Sequence, residues 1–270
     1  MNRFDGQVAF ITGGTSGIGR GTAERLASLG AKVAVVGRNR TALDEIAAAI
    51  TTAGGQVLPL ECDVTQSVQV DRAIAATVNH FGRLDIMLAS AGLSLRAYFE
   101  HTCLEAFEQV MRVNFFGTLY ATHFALPHII RSRGSLVALS SLTGKRGIPS
   151  YALYGASKFA IQGLYEALRL EVARHGVHVG VVSPAFVATP LRVNVLGADG
   201  KPWPNPPPPP FKIWPVAKCV DHIVRLIDKR KPEAILPWRA KPLLLVDDLL
   251  GHIIGDRLLT RKFPPEECGG

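Results

Sequence analysis

The sequence predicts an α/β fold: a doubly wound parallel sheet of about seven strands with helices on both faces. Three observations carry that expectation. Short, continuous apolar runs alternate with amphipathic helical patterns along the chain. A glycine-rich turn over residues 12–19 (TGGTSGIG) separates the first run from the first helical pattern. Residues able to do chemistry collect just after the strands: the glycine turn, Asp63, Ser90 to Gly92, Ser141 and Pro184 all fall there. Open parallel sheets bind their ligands at strand carboxyl ends.

Residues 7–12 (QVAFIT) have the unbroken apolar character of a strand buried on both faces. The pattern GRGTAERLASLG then puts Ala23, Leu26 and Ala27 on one helical face, with Gly30 as the stop. A second buried strand over 32–36 completes a βαβ unit. In such a unit the glycines let backbone approach a pyrophosphate, and the helix N-terminus offers it free N–H groups and partial positive charge. Gly13, Thr15, Ser16, Gly17, Ile18 and Gly19 are therefore the expected phosphate cradle. An acidic residue ending the second strand would bind the ribose hydroxyls of NAD and repel a 2′-phosphate. This chain reads VVGRNR instead, with no carboxylate. Gly37 leaves room for the phosphate, and Arg38, beside Asn39, can grip it bidentately, so NADP(H) is expected over NAD(H).

Residues 41–53 read as an amphipathic helix stopped by Gly54-Gly55. A third strand over 57–60 leads to Asp63 and Val64, and a helix follows over 68–80. The strand at 84–89 ends in Ser90-Ala91-Gly92, where the absent side chain of Gly92 would admit a cofactor. One long helix is expected over 104–126, carrying Asn114 among Val113, Phe115 and Phe116. A buried Asn must be hydrogen-bonded; it would either tie the helix to a neighbouring strand or hold a water. A fifth strand (137–139) delivers Ser140 and Ser141. A helix then opens on Tyr154 and runs to about His175. Strand 177–182 ends in Ser183-Pro184, and a helix over 217–228 precedes a seventh strand at 234–236.

Tyr154 and Lys158 stand one helical turn apart on one face. A cation there favours the phenolate, so the tyrosine is expected below its usual pKa of ~10 and available for proton transfer near neutral pH. A serine hydroxyl from the strand side could donate to the same substrate oxygen. Tyr-x-x-x-Lys alone is common on solvated helices; its setting gives it weight.

With these motifs in order, residues 5–190 resemble the short-chain dehydrogenase/reductase family in its typical subtype. TGGTSGIG matches the family's cofactor glycine motif, and Asp63 with Val64 matches the pair that holds adenine. Asn114, Ser141, Tyr154 and Lys158 match its catalytic tetrad. Ser141 is preferred to Ser140 because the family's serine stands thirteen residues before the tyrosine. That count and the following GASK select Tyr154 over Tyr151. The resemblance implies that Tyr154 exchanges a proton with the substrate oxygen while Ser141 polarises it. Lys158 would hold the nicotinamide ribose, and Asn114 a water; hydride passes between nicotinamide and the substrate carbon. Two departures stand out. The usual NNAG is ASAG (Ala89 to Gly92), and the usual Pro-Gly after strand six is Pro184-Ala185. Ser90, beside Ala91, can still make one hydrogen bond, so weakened support rather than lost function is expected there, and Val187 and Thr189-Pro190 still match the carboxamide-binding segment.

The expected activity is NADP(H)-dependent interconversion of a carbonyl and a secondary alcohol on a hydrophobic steroid-, retinoid- or lipid-like substrate. A 3-oxoacyl-thioester reductase and a non-catalytic NADP(H)-binding sensor or scaffold are the alternatives. The family's usual dimers or tetramers imply a homo-oligomer built on the helices around Asn114 and Tyr154.

All 270 residues read as one NAD(P)-binding Rossmann domain, with a Pro-rich substrate loop over 190–216 and an amphipathic extension over 240–263. The formal net charge of +8 suits an anionic cofactor, carrier or membrane face. Without a Lys/Arg block, nucleic acid is not expected. Cys62, Cys103, Cys219 and Cys268 lack metal-ligand spacing and read as free thiols in a reducing compartment. No signal peptide is evident, and no apolar run reaches the ~20 residues of a bilayer span; a cytoplasmic protein is expected. The five prolines at 206–210 favour polyproline II. They read as a stiff linker, a docking ligand, or a rigid flap with Trp203, Phe211 and Trp214 as its apolar lid. In the extension, Leu244, Leu245, Leu249, Ile253 and Ile254 can share one side of a single helix, with Arg257, Arg261 and Lys262 near its end. That helix would pack on the domain or a second subunit, or rest on a membrane surface as in the hydroxysteroid-dehydrogenase-like branch.

Overall fold

The computed structural model describes residues 3–263. Met1 and Cys268 lie outside them, as does the side chain of Ile254. The seven strands are β1 (Val8–Thr12), β2 (Lys32–Gly37), β3 (Gln56–Glu61), β4 (Ile86–Ala89), β5 (Ser135–Leu139), β6 (His178–Pro184) and β7 (Glu233–Leu236). All neighbours pair parallel in the order β3-β2-β1-β4-β5-β6-β7. Strand order reverses between β1 and β4, and a crevice at such a switch point is where α/β sheets take ligands.

The unbroken apolar runs are explained by burial on both faces. Along β1, Ala9 and Ile11 pack on one side of the sheet, whereas Val8 and Phe10 pack on the other. The first side is covered by α1 (Gly17–Ser28), α2 (Arg40–Thr52) and α8 (Val216–Asp228) through residues such as Leu26, Ile46 and Ile223. The second is covered by α3 (Ser67–Phe81), α5 (Gly117–Ser132) and α6 (Ala152–Glu171) through Ile74, Ile129 and Tyr165.

The long helix expected over 104–126 is not continuous. It divides into α4 (Leu104–Met111) and α5, joined by a π-helical stretch at Arg112–Phe116. The wider turn carries Asn114 inward, where its amide bonds the backbone of Leu93. Helix α5 also continues past Pro127. Pro127 and His123, whose carbonyl loses its helical partner, are both exposed, so the lost bond is open to water.

After β6 come the short α7 (Pro190–Val193) and the irregular segment that holds the proline run. The single C-terminal helix expected after residue 240 is instead a pair, α9 (Ala240–Leu249) and α10 (Ile253–Lys262). Gly251 (φ 58°) and His252 (φ 66°) turn the chain left-handed between them. Leu245, Leu249 and Ile253 are exposed and Leu244 is half-buried. Among the described residues no helix is long and apolar enough to cross a membrane.

Candidate active site

The glycine turn is shaped for close backbone approach. Gly13 has φ 62°, and a Cβ there would stand 2.7 Å from the backbone of Ala91; a Cβ on Gly19 would overlap the Gly13 carbonyl. Ser16 precedes α1 with its hydroxyl making no cap, and the first turn holds no acidic residue. The N–H groups of that turn are therefore left for an anion. Thr15, Arg38 and Asn39 line an open groove beside it. Arg38 is exposed, while the Asn39 side chain accepts from Ala42 N at 3.0 Å and caps α2. Thr189 reaches the turn from the far side, 3.1 Å from a Cβ built on Gly17. These features fit a dinucleotide: a cradle without side chains, an uncapped helix end and a guanidinium at the groove.

The other expected cofactor contacts lie along the same rim. Asp63 Oδ1 accepts from Thr65 N and Thr65 Oγ1, both at 2.9 Å, holding the turn after β3; Val64 packs beneath Gly117. The amides of Ser90 and Ala91 donate to Thr12 Oγ1 at 3.1 and 3.2 Å. The reading from sequence did not single out Thr12; it is 2% exposed, and its hydroxyl stitches the ends of β1 and β4 together. Pro184 closes β6 beside Leu236, and Val187 is buried against Trp214.

Four side chains meet where β4, β5 and α6 converge. Asn114, fully buried, accepts from Leu93 N at 2.7 Å and donates to Leu93 O at 3.0 Å and Ser157 Oγ at 2.9 Å. These contacts tie the π-helical stretch to the loop after β4 and to α6. Lys158 Nζ donates to Leu139 O at 2.9 Å and lies 5.7 Å from the Tyr154 ring centre. A Cβ on Gly92 would stand 3.2 Å from Asn114 Oδ1 and 3.8 Å from Lys158 Nζ, so all three border one small space. Ser141 acts on the Tyr154 phenol, lowering its pKa, and its Oγ accepts from Thr143 N at 3.2 Å. Ser140 turns away and donates to Lys158 O at 3.1 Å, which separates the roles of the two serines. Ser157, also not singled out from sequence, joins Asn114 to the Tyr154 backbone carbonyl.

The electrostatics differ from the sequence expectation. Burial pushes the Tyr154 phenol up to about 12, and the hydrogen bond from Ser141 offsets only part of that. Burial brings Lys158 down to about 8. The spacing between them led us to expect a depressed tyrosine, but both groups are desolvated and the lysine is turned to a backbone carbonyl. Desolvation therefore outweighs the attraction. At neutral pH the phenol is protonated and the ammonium mostly charged.

A family model described as short chain dehydrogenase matches residues 7–198. Dehydrogenase/reductase SDR family member 7B of Bos taurus is 38% identical over 200 residues, covering 72% of this chain and 62% of that protein's own length. An 11-beta-hydroxysteroid dehydrogenase-like 2 of Arabidopsis thaliana is 34% identical over 96% of this chain and 82% of its own. Among solved structures, a short chain dehydrogenase/reductase from Burkholderia phymatum, in complex with NAD, superposes with a TM-score of 0.80 at 25% identity, covering 93% of this chain and 97% of that one. With the glycine cradle at the switch point and Tyr154, Lys158, Ser141 and Asn114 gathered beside it, these matches make the chain a member of the short-chain dehydrogenase/reductase family, oxidoreductases that bind a nicotinamide cofactor.

Proposed function

We propose that the chain is an NADP(H)-dependent oxidoreductase that interconverts a carbonyl and a secondary alcohol on a hydrophobic substrate, with Tyr154 exchanging the proton. The observation that carries this reading is that Asn114 and Lys158 border Gly92 while Lys158 faces the Tyr154 ring and Ser141 acts on the Tyr154 phenol, beside a cradle suited to a pyrophosphate. A phenol held protonated at neutral pH is ready to donate to a carbonyl oxygen. Ser141, which eases ionisation of that phenol, is placed to bond the same substrate oxygen. Lys158, close by and cationic below about 8, stabilises the phenolate left behind. Asn114 holds α6 and the end of β4 in register for the exchange. A bound nicotinamide would supply or accept the hydride.

The NADP(H) preference is supported by Arg38 beside Thr15 and Asn39 in an open groove with no carboxylate ending β2. The hydrophobic substrate is supported by the aromatic side chains around Tyr154 and by likeness to a relative named for hydroxysteroids. We further read residues 1–270 as one nucleotide-binding unit, acting in the cytoplasm as a homodimer or homotetramer. The half-exposed Phe116 and Phe159, on the π stretch and α6, are apolar side chains suited to a subunit interface. The exposed leucines of α9, with the cations of α10, support peripheral contact with an anionic membrane.

The test is a fluorescence titration with NADPH and with NADH, followed by turnover on a panel of vicinal diketones. Tighter NADPH binding that weakens in Arg38→Glu, with ketone-dependent oxidation of NADPH, is expected. Equal binding of the two cofactors would reject the NADP(H) assignment. Binding without turnover would reject the enzymatic one in favour of a sensor or scaffold.

A further inference from the structure

The extension after β7 reaches back to the proposed catalytic tyrosine. Phe263, at the end of α10, is fully buried in one apolar cluster with Tyr151 and Tyr154. Its ring lies 6.1 Å from that of Tyr151, edge to face, and 6.1 Å from that of Phe211, which ends the proline run. Phe211 in turn stacks on Phe186, from the loop after β6, at 6.2 Å. Tyr154, at the floor of this cluster, is only 8% exposed.

Three polar side chains hold the arrangement. Tyr98 Oη donates to the Phe263 carbonyl at 2.8 Å. Arg96, 2% exposed, faces the rings of Tyr151, Trp203 and Phe263 at 5.9–6.0 Å and donates from Nη1 to Pro207 O at 3.1 Å. It thereby joins the loop after β4, the proline segment and the end of α10 at one point. Arg146, in the loop between β5 and α6, clamps both C-terminal helices: Nε pairs with Asp247 of α9 at 2.6 Å and Nη2 with Asp256 of α10 at 2.5 Å. The proline segment thus touches the fold through Pro207 and Phe211, and α10 meets it at the Phe211–Phe263 contact.

We propose that Phe263 and Phe211 form a movable wall of the substrate pocket, that the Arg146 clamp sets how far this wall stands from Tyr154, and that α10 therefore fixes the largest ketone the enzyme accepts. This rests on the carbonyl-reducing reading of the site and assigns its specificity to a segment remote in sequence. The occupant it fits is a flat, apolar ketone that slides between aromatic faces once the wall moves outward. A side chain buried by neighbours from three separate loops has room to yield only if those loops shift together, and the paired carboxylates of α9 and α10 are what the shift must release.

The test compares the full-length wild type with Phe263→Ala and with Arg146→Gln, which leaves Phe263 in place. Reduction of butane-2,3-dione and of the bulkier benzil with NADPH is measured, together with the rate of tryptic cleavage within α10. The expected result is a rise of at least about tenfold in the ratio of kcat/KM for benzil to that for butanedione, in the range that a reshaped pocket gives. It should come with faster cleavage in Arg146→Gln. An unchanged ratio in every folded variant, with wild-type turnover intact, would overturn the wall while leaving the carbonyl-reducing reading standing. Absence of wild-type turnover on both ketones, despite NADPH binding, would overturn both. Should Phe263→Ala not fold, Phe263→Leu takes its place and Arg146→Gln still decides.

Discussion

Asn114→Ala should cost the cofactor-free protein about 3 kcal/mol of stability, worked from its contacts as follows. The amide is fully buried and makes three hydrogen bonds, two of them to the backbone of Leu93 and one to Ser157 Oγ. Alanine strands both backbone groups of Leu93. An unpaired buried polar group costs ~1–3 kcal/mol, and because Leu93 is half-buried, water recovers part of it and the lower figure applies to each group. The cavity left by the amide adds about 1 kcal/mol. For a chain of this size the sum lowers Tm by roughly 6–12 °C. Asn114→Asp keeps the acceptor for Leu93 N but sets a carboxylate against Leu93 O. That carboxyl should sit above its usual range, so the variant should be least stable at neutral pH and recover as pH falls towards ~4. Urea titration followed by circular dichroism measures both. A midpoint for Asn114→Ala within about 0.5 kcal/mol of wild type, at equal m-value, would refute the tie between Asn114 and the β4 extension.

Other consequences follow from the same geometry. Gly13→Ala forces a Cβ to 2.7 Å from Ala91 at φ 62°; NADPH affinity should fall at least about tenfold by fluorescence titration, and wild-type affinity would contradict the close packing of turn and strand. Burial lowers Lys158 to about 8 from its ordinary 10.5, so between those values the unfolded chain binds the extra proton and stability rises with pH. Wild type should therefore gain on Lys158→Met between pH 7 and 9.5 in urea midpoints; a constant difference would place the ammonium in water. Leu249, 86% exposed on α9, should be the most damaging site for lipid contact: Leu249→Asp should abolish co-flotation with anionic vesicles. Equal flotation of variant and wild type would remove α9 from that role.

The sheet was legible because each strand is an apolar run short enough to exclude a helix, and the glycine turn marks which loop follows β1. Spacing put Tyr154 and Lys158 on one helical face, but it was the family resemblance that chose Ser141 over Ser140 and Tyr154 over Tyr151. What the chain reads poorly are features set by contacts remote in sequence. Nothing in VNFF announces a π turn; Asn114 is drawn inward by Leu93, far away along the chain. The apolar periodicity of 244–254 suggests one helix, yet Gly251 and His252 take up left-handed backbone and Asp247 accepts from Gly255 N across the break. The tyrosine pKa was misjudged for the same reason: i, i+4 spacing shows the nearby cation but not the desolvation of both partners. Phe263 carries no sequence signal towards Tyr154, because only the fold of α9 and α10 brings it there.

The most direct test of the account is single-turnover reduction of butane-2,3-dione by NADPH in wild type and Tyr154→Phe, each with its NADPH affinity measured first. The predicted result is similar cofactor affinity with a rate lower by ~10²–10⁴-fold in the variant, the loss expected when a general acid is removed. A variant that binds NADPH and reduces the diketone at the wild-type rate would contradict the assignment of Tyr154 as the proton-exchanging group.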